Sequence, residues 1–151
     1  MTIYRDMFAL DIPSVVSLER EIYPADAWTV WQFKEELAGV PRTRKYVVAT
    51  DEGGEVLGYA GAFCPASGVE TDIQTLTVTF SKRRQGVGRE LLRILISWAR
   101  ERNSPAVLLE VRDGNEEASP LYISEGFIAI SRRKKYYATG GDAVIMKKVL
   151  A

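Results

Sequence analysis

The chain has 151 residues, 46% apolar and 26% charged, and its lysines and arginines balance its aspartates and glutamates to a net charge of zero. That length supports one domain with a core of its own, over residues 1–151, and leaves none for a second. No apolar run approaches the roughly 20 residues that span a bilayer, and a neutral chain lacks the broad basic field of a nucleic-acid binder.

Residues 3–7 read as a first strand. Asp11 is placed to cap a helix with Pro13 near its first turn; Val15, Val16, Leu18 and Ile22 form its apolar stripe, and Pro24 ends it. Thr29 can cap a second, shorter helix carrying Trp31, Phe33 and Leu37. Strands over 45–50 and 55–63 meet at Asp51-Glu-Gly-Gly, a hairpin signal, and a third covers 70–79. In the helix expected over 86–101, Val87, Leu91, Leu92, Leu95, Trp98 and Ala99 recur at helical spacing, with Arg89, Glu90, Arg93 and Arg100 on the other side. Pro105 leads into a strand over 106–111, and a helix over 116–125 closes on Gly126. Two last strands, about 127–137 and 143–149, meet at Thr139-Gly-Gly-Asp142. A helical crossover separates the third strand from the next. This order predicts an α+β layered domain, a mixed and partly antiparallel sheet with helices on its faces.

Cys64 is the single cysteine, so no internal disulfide is expected and a reducing cytoplasm is the simplest home. It ends an apolar strand, where a small buried filler is the expected role. The N-terminus, Met-Thr-Ile-Tyr-Arg-Asp, lacks the basic-then-apolar order of a secretory leader. There is no histidine and no cluster with metal-ligand spacing, so metal chemistry is not expected.

The most informative segment is Ser81-Lys-Arg-Arg-Gln-Gly-Val-Gly-Arg-Glu-Leu-Leu92, where a strand breaks on glycines and becomes an amphipathic helix. Glycines let the backbone turn tightly and approach a ligand. The first N–H groups of a helix have no internal partner and lie at its positive end, which suits a diphosphate. Arg83, Arg84 and Arg89 add positive charge around that cradle. Spacing excludes a P-loop, because no Lys-Ser or Lys-Thr pair follows the glycines. It also excludes a dinucleotide fingerprint, because Leu91 occupies the position of the third glycine. For this segment alone, a plain helix start with exposed arginines stays open. The charge is also uneven: Asp11, Glu19, Glu21, Asp26, Glu35 and Glu36 make 10–38 acidic, and arginines make 82–102 basic. An anionic co-substrate on one side and a cationic substrate on the other fits this pattern, as do ordinary solvated helix faces.

Further along lies Leu108-Leu-Glu-Val-Arg-Asp-Gly-Asn-Glu-Glu-Ala-Ser-Pro-Leu-Tyr-Ile-Ser-Glu-Gly-Phe127. Together the two segments resemble the GNAT superfamily of acetyl-CoA-dependent N-acetyltransferases. The first resembles its Arg/Gln-x-x-Gly-x-Gly/Ala pyrophosphate loop; the second is similar to its Asn-x-x-Ala-x-x-Leu-Tyr-x-x-x-Gly-Phe pattern at Asn115, Ala118, Leu121, Tyr122, Gly126 and Phe127. The resemblance implies a three-layer α/β/α domain around a mixed, mainly antiparallel sheet of six to seven strands. It also implies that acetyl-CoA is held by Leu76, Thr77 and Val78, by Arg84, Gln85, Gly86, Val87, Gly88 and Arg89, and by Asn115. Strand N–H groups from Leu76 to Val78 can orient the acetyl carbonyl and the pantetheine.

Two side chains stand out as carriers of chemistry. Glu110 shares the strand face of Leu108, where partial desolvation would raise its pKa toward that of a general base. A structural carboxylate paired with Arg112 or another arginine is the alternative reading. Tyr122, in mid-helix, is either a core aromatic or, as the resemblance implies, the general acid beside the CoA sulfur. A closer resemblance, to bacterial ribosomal-protein alanine N-acetyltransferases, rests on Leu-Glu-Val-Arg at Glu110 and on Arg133-Lys-Lys-Tyr-Tyr137 followed by Asp142-Ala-Val-Ile-Met146. Trp28-Thr29 resembles their Pro-Trp-Ser element, with Ala27 in place of proline. Carried over, Trp28, Tyr136 and Tyr137 become candidate peptide contacts, against plain aromatic packing. The resemblance implies transfer of acetyl to a protein N-terminus, an alanine of a ribosomal protein, by a cytoplasmic monomer that binds neither membrane nor nucleic acid. Acetylation of a small amine or an internal lysine, and a catalytically silent CoA-binding module, are the alternatives.

Overall fold

The computed structural model describes residues 1–112, 119–134 and 142–150. Strands β1 (Ile3–Asp6), β2 (Arg44–Thr50), β3 (Val56–Phe63), β4 (Thr71–Val78), β5 (Ala106–Arg112), β6 (Ile128–Arg133) and β7 (Ala143–Val149) form one sheet in the order β1-β2-β3-β4-β5-β7-β6. Neighbours are antiparallel except β4 and β5, which are parallel and connected by helix α3 (Val87–Glu101). The mixed, mainly antiparallel sheet expected from the sequence is present.

Helix α3 covers one face, where Leu91, Leu92, Leu95 and Ala99 pack on Val47, Ala60, Ile73 and Leu109. Helices α1 (Ile12–Ile22) and α2 (Val30–Ala38) cover the other, packing Val15, Val16 and Phe33 on Tyr46, Val48 and Tyr59. Strand β2 serves both cores by simple alternation: Val47 and Ala49 face α3, Tyr46 and Val48 face α1 and α2. A strand buried on both faces reads as a continuous apolar run, which is what residues 46–49 are.

Local chemistry explains the element ends. The Thr29 hydroxyl accepts from Gln32 N–H at 3.2 Å while the Gln32 side chain accepts from Thr29 N–H at 2.8 Å, a reciprocal cap that starts α2. Helix α4 (Ser119–Ser124) closes with Phe127 N–H donating to Tyr122 C=O and Gly126 N–H to Ile123 C=O, both at 3.0 Å. Asp11 departs from expectation. Its side chain does not cap α1, because both oxygens are engaged at 2.8 Å by the Arg5 guanidinium and one also accepts from Phe8 N–H. Trp31 is not core either: it is 65% exposed on α2, while Phe33 takes the inward position. Strand β6 covers Ile128–Arg133, and residues 135–137 of the expected strand lie outside the described residues.

The sheet is irregular where β4 matters most. Its ladder with β3 shifts between Gly61 and Ala62, which pair with Thr75 and Ile73, so Gln74 is the extra residue of a bulge. On its other edge, β4 meets β5 only at Thr71↔Val107 and Asp72↔Leu108. From Ile73 to Val78 that edge has no ladder partner among the described residues. The pairing of the two strands ends there, and the splay that this implies at the C-terminal end of β4 is the candidate cleft. Gly61 makes room for the bulge's support: a Cβ there would lie 2.1 Å from the Tyr46 ring. That ring carries a hydroxyl 2.9 Å from Glu36 Oε1 and 3.0 Å from Gln74 Oε1.

Candidate active site

One wall of the cleft is the end of β4, Leu76-Thr77-Val78, which has no ladder partner on its β5 side among the described residues, the side on which a ligand could run alongside as an added strand. The chain then turns through Arg84 (φ 64°) and Gly86 (φ 87°) into α3. Left-handed residues so spaced belong to the kind of backbone that gathers N–H groups into an anion-binding concavity. Gly86 is the N-cap residue of α3, and nothing lies within 4 Å of where its Cβ would be. The requirement for glycine there is conformational, and the space it leaves is open to a diphosphate. Gly88 faces the side chains of Leu121, Val78 and Leu76 at 3.4–3.7 Å from a notional Cβ, so α3 starts close against both β4 and α4. Val87 is buried and anchors the turn.

The flanking side chains divide. Arg84 and Gln85 are exposed at the turn, with Gln85 Nε2 donating to Ser81 C=O at 3.0 Å. Arg83 is held against the strand: its Nε donates to Val78 C=O at 3.1 Å and its guanidinium stacks on Phe80. It fixes the turn against the strand end. Arg89 also has structural work, donating to Ser124 Oγ at 2.9 Å and to Glu125 at 2.6 Å, where Arg93 joins it. These arginines hold the Glu125 carboxyl below its usual range, Arg93 by hydrogen bonding first, and they tie α3 to α4. Asn115 lies outside the described residues.

The catalytic candidates sit on opposite faces of the sheet at the splay. Leu109 and Val111 are buried beneath α3, so Glu110 between them faces the side of α1 and α2. It is exposed and pairs with Arg133 at 3.3 Å. Glu110 thus stands at the open part of the sheet beside an arginine, and not enclosed in apolar surroundings. Asp72 shares this face on the neighbouring strand. Its carboxyl is held above the usual aspartate range, first by burial and then by the charges of Glu70 and Glu110. Tyr122 is 7% exposed on the α3 side, its ring 6.0 Å from Phe127 and edge-on to it. Helix α4 thus presents tyrosine from one side of the cleft while β5 presents glutamate from the other.

Trp28 is half-buried in the segment between α1 and α2, its backbone N–H donating to Glu19 Oε2 at 2.9 Å and its ring 5.2 Å from Phe33. The other aromatic candidates, Tyr136 and Tyr137, lie outside the described residues. Sequence reasoning missed Asp72, Gln74 and Glu19. Glu19 had left a signal: it continues the stripe Ile12, Val15, Val16 at helical spacing, a carboxylate on the face that is otherwise apolar. Among the described residues no group of side chains could hold a metal ion, and no helix is long and apolar enough to cross a membrane.

Residues 9–127 match the acetyltransferase (GNAT) family. The chain belongs to that family. It is an acetyltransferase with acetyl-CoA as acetyl donor, and the open glycine turn at the start of α3 fits the donor's diphosphate. The chain is 33% identical over 142 residues to the N-alpha-acetyltransferase RimI of Mycobacterium tuberculosis, an alignment that covers 91% of this chain and 86% of that one. Its fold is similar to the crystal structure of Ard1 from Thermoplasma volcanium, with a TM-score of 0.88 and 27% identity over 99% of this chain and 98% of that one. It is also similar to the crystal structure of the ribosomal-protein-S18-alanine N-acetyltransferase from Escherichia coli, with a TM-score of 0.84 and 27% identity over 100% of this chain and 95% of that one.

Proposed function

We propose that this acetyltransferase acts on the N-terminal α-amine of a protein, and that its substrate is an exposed N-terminal alanine of ribosomal protein bS18. The observation that carries this reading is the likeness to an N-alpha-acetyltransferase along 91% of the chain, together with an acidic acceptor face formed by Asp72 and Glu110. The bS18 alanine follows the S18-alanine enzyme of Escherichia coli. The enzyme works as a cytoplasmic monomer.

The chemistry follows from the placement of the groups. The amine enters from the α1–α2 face and must be neutral to attack the thioester carbonyl. Glu110, exposed there, takes the surplus proton directly or through water. Backbone N–H groups at the free edge of Leu76–Val78 stabilise the oxyanion as the new C–N bond forms. The C–S bond then breaks, and Tyr122, on the CoA side, supplies the departing sulfur with a proton and is reprotonated from solvent. An α-amine has a pKa near 7.7–8.0 and lysine one near 10.4, so neutralising lysine at pH 7 costs about 3.4 kcal/mol more. A single carboxylate base therefore suits an α-amine.

Mass spectrometry after incubation with acetyl-CoA tests the reading. A peptide beginning with alanine should be acetylated about two to three orders of magnitude faster than the same peptide with a blocked N-terminus and a free lysine. Faster modification of the blocked peptide overturns it and promotes the lysine or small-amine reading.

A further inference from the structure

Glu19 is the one carboxylate of α1 that is buried, at 4% exposure. Burying a carboxylate is costly unless hydrogen bonds replace its water, and here both oxygens are used. Oε1 accepts from the Tyr59 hydroxyl of β3, and Oε2 accepts from Trp28 N–H at 2.9 Å. Burial raises the Glu19 carboxyl above its usual range, and the two hydrogen bonds oppose that rise. Rings complete a circuit: Trp28 packs on Phe33 at 5.2 Å, and Phe33 meets Tyr59 edge-on at 5.8 Å. Tyr59 stands opposite Thr77 in the β3–β4 ladder. The Thr77 hydroxyl hydrogen-bonds Tyr23 at 3.1 Å, from the residue that ends α1. The segment from Tyr23 to Trp28 is thus held at both ends, at Thr77 by Tyr23 and at Tyr59 through Glu19. Thr77 also lies in the strand end, without a β5 ladder partner among the described residues, along which the proposed mechanism places the acetyl group.

An apolar residue at position 19 would continue the stripe of α1 and pack in the same core. It would leave the Trp28 N–H and the Tyr59 hydroxyl without their acceptor. The polar residue is therefore explained by what it holds. We propose that Glu19 is a positioning residue that sets the 23–29 segment over the Thr77 end of β4, so that Trp28 borders the entry of the acceptor peptide. This rests on the N-terminal acetylation reading for the identity of the acceptor. The positioning itself does not.

Wild type, Glu19→Leu and Glu19→Gln decide the matter with three readouts: steady-state kinetics on an alanine-initiated peptide, calorimetric affinity for acetyl-CoA, and deuterium uptake of the free enzyme. Glu19→Leu should raise the peptide KM about tenfold, the scale of a lost hydrogen bond to a charged group, and leave acetyl-CoA affinity within about twofold. Its uptake should accelerate over 23–29 and not in α3. Glu19→Gln should restore the peptide KM to within about threefold, because its amide can accept from Trp28 N–H and donate to Tyr59, which then donates to Thr77. A peptide KM that stays at the wild-type value overturns the proposal, as does a parallel loss of acetyl-CoA affinity. If Glu19→Leu does not fold, Tyr23→Phe is read instead, since it deletes one hydroxyl at the half-exposed end of α1; an unchanged peptide KM again overturns the proposal. Should wild type ignore peptide N-termini, the acetylation reading fails by itself. Uptake over 23–29 in Glu19→Leu still separates a held segment from one that Glu19 does not hold.

Discussion

The two faces of the sheet are built from different materials. Under α3 the core is aliphatic: Leu91, Leu92 and Leu95 against Val47, Ala60 and Val107. Under α1 and α2, tyrosines reach carboxylates, Tyr59 to Glu19 and Tyr46 to Glu36, and both chains of hydrogen bonds end beside β4, at Thr77 and Gln74. The donor side needs a rigid platform and a turn, and close-packed aliphatic residues supply it. The acceptor side must hold a segment and a strand bulge in one arrangement, and directional bonds do that better than non-directional burial. On the proposed reading, the same sheet carries a generic donor site on one face and a specified acceptor site on the other.

The sharpest way to break this division is at Glu110, the proposed base on the acceptor side. Glu110→Gln should lower kcat by about 10²–10⁴, with partial recovery at higher pH as more amine is already neutral. Stopped assays with an alanine-initiated peptide check this, and wild-type turnover at neutral pH would move the base elsewhere. Tyr122→Phe should lower kcat with acetyl-CoA affinity retained, and calorimetry beside the same assay separates the two effects.

On the donor side the glycines should respond unequally. Gly86→Val forces a β-branched residue into φ 87°, at a cost of about 1–2 kcal/mol or more of stability, and acetyl-CoA binding should fall with it. Gly88→Ala meets side chains only at ordinary contact distance in the free enzyme, so the melting temperature should hold. A fall in acetyl-CoA affinity there reports close approach of the ligand. Calorimetry and thermal melts on the same samples read both, and unchanged affinity in a folded Gly86→Val protein would rule the cradle out.

Stability against pH separates the carboxylates that lose hydration from the ones held by arginine. Glu19 and Asp72 are raised, mainly by burial, so the folded state binds their protons more tightly than the unfolded chain. Their contribution is fullest below the ordinary carboxylate value of about 4 and is lost as pH rises through the raised values. Asp11, lowered chiefly by its hydrogen bonds from Arg5, has the opposite sign: its contribution is complete above about 4 and is lost on acidification. Urea midpoints across this range should lose part of the first slope in Glu19→Gln and part of the second in Asp11→Asn.

Electrostatic steering is the smallest expected effect. The acidic balance of 10–38 suggests a preference for basic residues after the first, but Asp11 and Glu36 are salt-bridged to Arg5 and Arg44 and Glu19 is buried. The exposed remainder is Glu21, Asp26 and Glu35. Peptides with arginine-rich and glutamate-rich tails should differ only a few-fold in kcat/KM at low salt and converge at high salt. Equal rates at low salt would remove steering.

The glycine turn proposed as the donor site was legible in the sequence because its signals are local. Gly86, Gly88 and the apolar period of α3 lie in one continuous stretch, and a helix start is decided by neighbours in the chain. The Thr29 cap, the hairpin at Asp51-Glu-Gly-Gly and the C-terminal cap at Gly126 were readable for the same reason. The positions of Glu110 and Tyr122 on opposite faces also follow from strand alternation and helical spacing, once the sheet exists. Tertiary structure decided the rest, because those features depend on partners far along the chain. Asp11 turned to Arg5 instead of its own helix, Glu110 met Arg133 across β7 instead of a dry pocket, and Glu19 left the count of surface charges to join Tyr59 and Trp28. A residue's type and spacing set what it can bond or bury. Which long-range partner satisfies it, and so whether a carboxylate is a surface charge, a base or a brace, is settled only when the layers close.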